Sequence, residues 1–175
     1  MHGRATVGTG GTETLVRRVD PRSLRFGAGV TAGLLLAVGL VADLPMLVLL
    51  LGGNLLVAGL FGVMLHLPNR PWPFLRRALK VGGVPRVPEL PARFSAVTQG
   101  LALLLGALAM LRGHVLGGWA LVAVVAALQA AHAVTGVDVV ARLFQAGGAV
   151  PDAFGRMCGR LDRMRVQAPG RGPRD

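Results

Sequence analysis

Four long stretches of this chain, at about residues 24–42, 46–67, 94–111 and 115–137, are apolar and almost free of charge. Each exceeds the roughly 17 residues needed to cross a hydrocarbon core of about 30 Å. The pattern predicts an all-α membrane protein with four transmembrane helices. Composition agrees, since 53% of the 175 residues are hydrophobic and only 15% are charged, and the charges are clustered in blocks. Soluble domains intersperse them instead.

The distribution of basic residues sets the expected orientation. Arg4, Arg17, Arg18, Arg22 and Arg25 lie before or at the start of the first stretch. Arg70, Arg76, Arg77, Lys80, Arg86 and Arg93 fill the middle loop, seven more follow the fourth stretch, and Arg112 stands alone on the other side. The positive-inside rule places both termini in the cytoplasm and the protein in the cytoplasmic (inner) membrane. An odd number of spans would strand a basic block outside.

A net charge of +11 could suggest a nucleic-acid partner, but the Arg residues sit at helix ends and in tails, without the aromatic interleaving of a base-stacking surface. Anionic lipid headgroups are the expected counter-charge. In the middle loop, Trp72 lies beside Arg76, Arg77 and Lys80, and six prolines from Pro68 to Pro91 break any long helix. Such a segment is expected to skim the membrane interface.

Residues 1–20 read as a flexible cytoplasmic tail without the apolar run of a signal peptide, and 168–175 as a disordered tail. Between about 147 and 167 the residues Val150, Phe154, Met157, Leu161 and Met164 recur every three or four positions, flanked by Arg156, Arg160 and Arg163. This predicts a basic amphipathic helix on the inner leaflet, or packed on the middle loop or on a protein partner. Cys158 is the only cysteine, so no intrachain disulfide forms.

The two halves of the apolar region echo each other. Arg25-Phe26 matches Arg93-Phe94 at an offset of 68, and Gly52-Gly53-Asn54-Leu55-Leu56-Val57-Ala58 matches Gly117-Gly118-Trp119-Ala120-Leu121-Val122-Ala123 at an offset of 65. Two tandem hairpins, forming a parallel repeat about an axis along the membrane normal, are expected. Small residues four apart, such as Gly29 and Gly33 or Ala58 and Gly62, permit close helix contact within one chain or in a homo-oligomer.

Polar residues within apolar spans need partners. Asn54, Thr98, Gln99, Gln129 and His132 are the candidates, and interhelical hydrogen bonds are their ordinary use. The densest group is His132, Thr135, Asp138 and Arg142, read as one broad helical face on which Asp138 and Arg142 have the spacing of an ion pair. No catalytic set, cofactor loop or metal-ligand set is expected: the histidines carry no accompanying carboxylate motif, and the glycine pairs lack the Lys-Ser/Thr of a phosphate loop.

These residues resemble an uncharacterised bacterial membrane family, the domain-of-unknown-function family 4395, over roughly residues 20–145. Asp20-Pro21-Arg22 with Arg25-Phe26 resembles its opening motif, and Glu89, Pro91, Arg93 and Phe94 its second. Where many members carry Asn-Ala-Val-Thr-Gly leading into Cys-x-x-Cys-Arg, this chain has His132-Ala133-Val134-Thr135-Gly136, then Asp138, Ala141 and Arg142. The resemblance implies the four-helix fold. It does not carry over thiol chemistry, because Asp and Ala can neither form a disulfide nor bind a soft metal.

Three functions follow as expectations. The first is a non-enzymatic structural or accessory membrane protein acting through protein or lipid partners. The second is a degenerate relative of membrane thiol-redox or sulfur-handling proteins, and the third a carrier of a small solute or protons using His132 and Asp138.

Overall fold

The computed structural model describes residues 17–41, 44–147 and 149–166. Over these the chain is mostly helical. The order is β1 (Arg18–Val19), α1 (Pro21–Val41), α2 (Pro45–Phe61), α3 (Trp72–Ala78), β2 (Val87–Pro88), α4 (Leu90–Leu111), α5 (Val115–Thr135), α6 (Val139–Ala146) and α7 (Ala149–Val166). The expected tails, apart from residues 17–20, and the turn at 42–43 lie outside the described residues.

By length and composition α4 and α5 can cross a membrane. α1 has 21 residues, and α2 is an apolar helix of 17. Pro45 and Pro91 stand in the first turns of α2 and α4, where a missing N–H leaves no helical hydrogen bond unmade. α4 therefore starts at Leu90 rather than at Phe94, and Pro91 opens the helix instead of breaking it.

The second apolar stretch departs most from expectation. Its helix stops at Phe61 instead of reaching Leu67, because Gly62 turns the chain at φ 125°, a conformation open mainly to glycine. Two 3₁₀ turns, at residues 63–65 and 67–69, then fold back beside α2. Asn54 holds them there: its Oδ1 accepts from Leu67 N at 3.1 Å and its Nδ2 donates to Leu65 O at 3.4 Å. Asn69 Nδ2 closes the return by donating to Val63 O at 2.9 Å.

This returned segment meets both α1 and α2, which touch one another little. α1 packs instead on α5, α2 on α4, and α4 on α5. The α2–α4 seam is tight enough to require glycine: a Cβ on Gly59 would lie 2.7 Å from Arg93 O, and one on Gly100 2.7 Å from Leu56 N. Leu35, Val48, Leu51, Leu103, Met110, Val122 and Val125 fill the half of the bundle nearest the α4–α5 turn. Polar side chains collect in the other half.

At that polar end β1 and β2 pair antiparallel, with Arg18 opposite Pro88 and Val19 opposite Val87. The segments leading into α1 and α4 are thereby tied together. α6 and α7 pack beside them through an aromatic trio: Phe94 stacks on Phe144 with ring centroids 4.4 Å apart, and Phe154 meets both rings edge-on.

The expected apolar face of α7 is divided. Phe154 and Cys158 are buried against the bundle, while Val150, Met157 and Met164 stay exposed beside exposed Arg156, Arg160 and Arg163. The helix packs on α2, α4 and α6. The reason lies in Phe94 and Leu90, which offer a partly buried apolar seat at the start of α4.

Candidate functional site

Helix C-termini leave carbonyl groups without intrahelical partners, and cations near them are favoured by the helix dipole. Two arginines use this. Arg25, at the start of α1, donates to Ala133 O at 3.0 Å and Val134 O at 2.8 Å in the last turn of α5. Arg93, at the start of α4, donates to Gly59 O at 3.0 Å and also to Leu60 O in the last turn of α2. Each first helix thus caps the second helix of the other pair.

The two caps differ in surroundings. Arg25 is exposed, whereas Arg93 is 5% exposed and its third nitrogen, Nη1, donates to Asp162 Oδ2 of α7 at 2.9 Å. Buried Glu89 stands next to this group, its Oε1 accepting from Val63 N at 2.8 Å and its Oε2 3.4 Å from Arg17 Nε. Position in the sequence marked Arg25 and Arg93 only as repeated charges at a membrane surface. The repeated Arg-Phe pair, at the brink of an apolar run, was the signal that both had a role beyond the surface.

Between these caps lies a cavity of about 40 Å³, lined by polar and apolar side chains in similar measure. Ser95 and Gln99 of α4 line one wall, Gln129 and His132 of α5 another, and Asp138 closes one side. His66 and Asn69, from the returned segment, face them. The expected polar residues Gln99, Gln129 and His132 are therefore brought together, and Asn54 supports the cavity from behind His66. Thr98 is not part of it, since it is exposed and donates to Phe94 O of its own helix.

Asp138 is held from two directions. Its Oδ1 accepts from Ala141 N at 3.0 Å, capping α6, and from Ser95 Oγ at 2.9 Å. Ser95 Oγ accepts in turn from Gln99 Nε2 at 2.9 Å. The other oxygen, Oδ2, lies 3.9 Å from His132 Nδ1, beyond hydrogen-bond range but close enough for charge to be felt.

The expected four-residue face on one helix does not form. α5 ends at Thr135, Gly136 turns the chain at φ 74°, and Asp138 opens a new helix. Thr135 Oγ1 is engaged with its own backbone, donating to Ala131 O and accepting from Val137 N. Arg142 is exposed, and among the described residues it makes no ion pair with Asp138, whose carboxylate is turned toward Ser95 and the α6 N-terminus. Of the group, His132 and Asp138 remain as a site.

His66 has a fixed chemical role. Leu67 N–H makes Asn54 Oδ1 an acceptor, so the His66 Nδ1 that faces this oxygen at 2.8 Å carries the ring proton. In the neutral ring Nε2 is then an acceptor, 2.9 Å from Thr31 Oγ1. That hydroxyl has one proton and also lies 2.8 Å from Gly27 O, so it cannot serve both acceptors.

Further orphaned acceptors surround the cavity. Gln99 Oε1 and Asn69 Oδ1 are buried without a hydrogen-bond partner, and such groups cost roughly 1–3 kcal/mol each when left dry. Among the described residues no three of His, Cys, Asp and Glu come together in a way that could hold a metal ion.

The interfacial residues divide by contact. Trp72 Nε1 donates to Asp20 Oδ2 at 3.4 Å and its ring lies 5.7 Å from that of Phe26. Arg76 pairs with the same carboxylate at 3.6 Å. Arg77, Lys80, Arg156, Arg160 and Arg163 are exposed. No family model, curated protein or solved structure matches the chain.

Proposed function

We propose that this chain is a non-enzymatic carrier of a small polar solute in the cytoplasmic membrane, with four spans arranged as two tandem hairpins and both termini in the cytoplasm. The observation that carries the reading is the cavity between α4, α5 and the returned segment, beside which Asp138 Oδ2 and the buried Gln99 Oε1 have no hydrogen-bond partner. Transporter sites lie at the interface of repeated units, formed by helix ends and by irregular backbone buried in protein. The segment 63–69 and the α5–α6 break supply both.

The exchange of arginine caps supports a two-fold relation between the halves, as does the antiparallel β1–β2 pair, a motif that maps onto itself under a two-fold rotation. The apolar half of the bundle would seal the far side, so the cavity would be reached from the cytoplasm. Exposed Arg156, Arg160 and Arg163 beside Met157 and Met164 suit contact with anionic headgroups of the inner leaflet.

Uptake into proteoliposomes tests this. Urea, glycerol, methylammonium and acetate are supplied in turn to vesicles with the full chain, with Asp138→Asn, or without protein. At least one solute should enter faster with the unmodified chain than with the variant. Uptake of every solute at the protein-free rate would sink the reading.

A further inference from the structure

We infer that the cavity takes an uncharged solute rich in N–H or O–H donors and no larger than about four heavy atoms, an inference that rests on the carrier reading. Size comes first. At roughly 10–15 Å³ for each water-sized position, a cavity of about 40 Å³ holds about three or four such positions.

Polarity follows from the unused groups. Gln99 is 5% exposed and Asn69 3%, and in each the amide nitrogen is engaged while the oxygen has no partner. Asp138 Oδ2 is too far from His132 to be satisfied by it. His66 Nε2 competes for a Thr31 proton that Gly27 O also claims. Gln99 Oε1, Asp138 Oδ2 and His66 Nε2 are thus acceptors at the cavity, and a ligand that brings N–H or O–H donors meets them.

Charge selects against ions. Asp138 places a carboxylate at one side of the cavity, which disfavours an anion. Arg25 holds the carbonyl of Ala133, the residue next to His132, and the N-terminus of α6 points at Asp138 itself. These two positive contributions weaken the pull of the carboxylate on a cation. A neutral donor fits what remains, in the way that a site built to hydrogen-bond a substrate rejects analogues that cannot match it.

Urea, guanidinium and acetate share a planar frame of four heavy atoms in three charge states, and radiolabelled forms serve as probes. Proteoliposomes carrying the full chain should take up urea at least fivefold faster than protein-free vesicles, with guanidinium and acetate near the protein-free rate. Gln99→Met, which keeps side-chain length and removes the open oxygen, should lower urea uptake at least fivefold. Gln129→Met on the facing helix is a second variant with the same expectation, should the first not assemble. Guanidinium or acetate entering as fast as urea overturns the inference and leaves the carrier reading standing, as does unchanged urea uptake by both variants. No uptake of any probe or of the wider solute panel overturns both.

Discussion

Arg93 donates to Asp162 at 2.9 Å while the same guanidinium holds the final carbonyls of α2, so the C-terminal helix is fastened to the group that caps the second helix. Arg25 does the equivalent work for α5 without a carboxylate partner among the described residues. The two caps are alike in geometry and unlike in burial, and burial decides their weight.

Removing Arg93 leaves buried carbonyls of Gly59 and Leu60 and a half-exposed Asp162 unpaired. Arg93→Ala should therefore destabilise the protein by roughly 3 kcal/mol. Arg25→Ala removes an exposed cation from a helix C-terminus and should cost about 0.3–1 kcal/mol. Thermal unfolding of both variants in the same mild detergent checks the order, and equal losses would contradict the distinction drawn from burial.

Glycines of one helix should respond oppositely. A Cβ on Gly59 would meet Val97 Cγ2 at 2.5 Å and the Arg93 carbonyl at 2.7 Å, whereas one on Gly53 has nothing within 4 Å. Gly59→Ala must push α2 and α4 apart, with a loss of about 1–3 kcal/mol. Gly53→Ala should be neutral or stabilising by up to about 1 kcal/mol through the ordinary helix preference for alanine. Unfolding midpoints report both.

Asn54 makes three of the side-chain contacts that tie down the returned segment. Asn54→Ala strands Leu65 O, Leu67 N and the His66 ring proton together, a predicted loss of about 2–3 kcal/mol. Proteolysis between residues 62 and 70 should accelerate in the variant, and an unchanged cleavage rate would show that other contacts hold the turn.

Cys158 reports on docking of α7. Burial is the main cause that pushes its thiol above the ordinary value; Arg93 opposes this, and Asp162 and Glu89 add to it. Docking stability is fully present below the ordinary thiol value and falls as pH rises above it, because the docked helix retains the proton that the released one loses. Alkylation of Cys158 should be slow at neutral pH. Asp162→Asn should raise its rate roughly five- to tenfold by loosening the helix.

How far the chain could be read in advance varies by element. The boundaries of α5 and α7 followed from apolar runs and periodic spacing, because local pattern and burial agree there. The end of α2 did not, since Val63, Leu65 and Leu67 continue the apolar run while Gly62 and Asn54 redirect the backbone. Gln99, Gln129, His132 and Asp138 were visible as polar residues out of place. Ser95 and His66 were not legible as site residues, because their partners Asp138 and Thr31 lie 43 and 35 positions away.

The sequence by itself determined that helices would form, where the apolar ones lie and that charge gathers at one end, since these depend on local hydrophobicity and spacing. Tertiary structure alone decided that α1 packs on α5 rather than on α2, that Arg25 and Arg93 cap helices outside their own pair, and that Asp138 faces His132 and Ser95 instead of Arg142. Those outcomes depend on the pairing of distant buried polar groups, whose cost when unpaired no local pattern records.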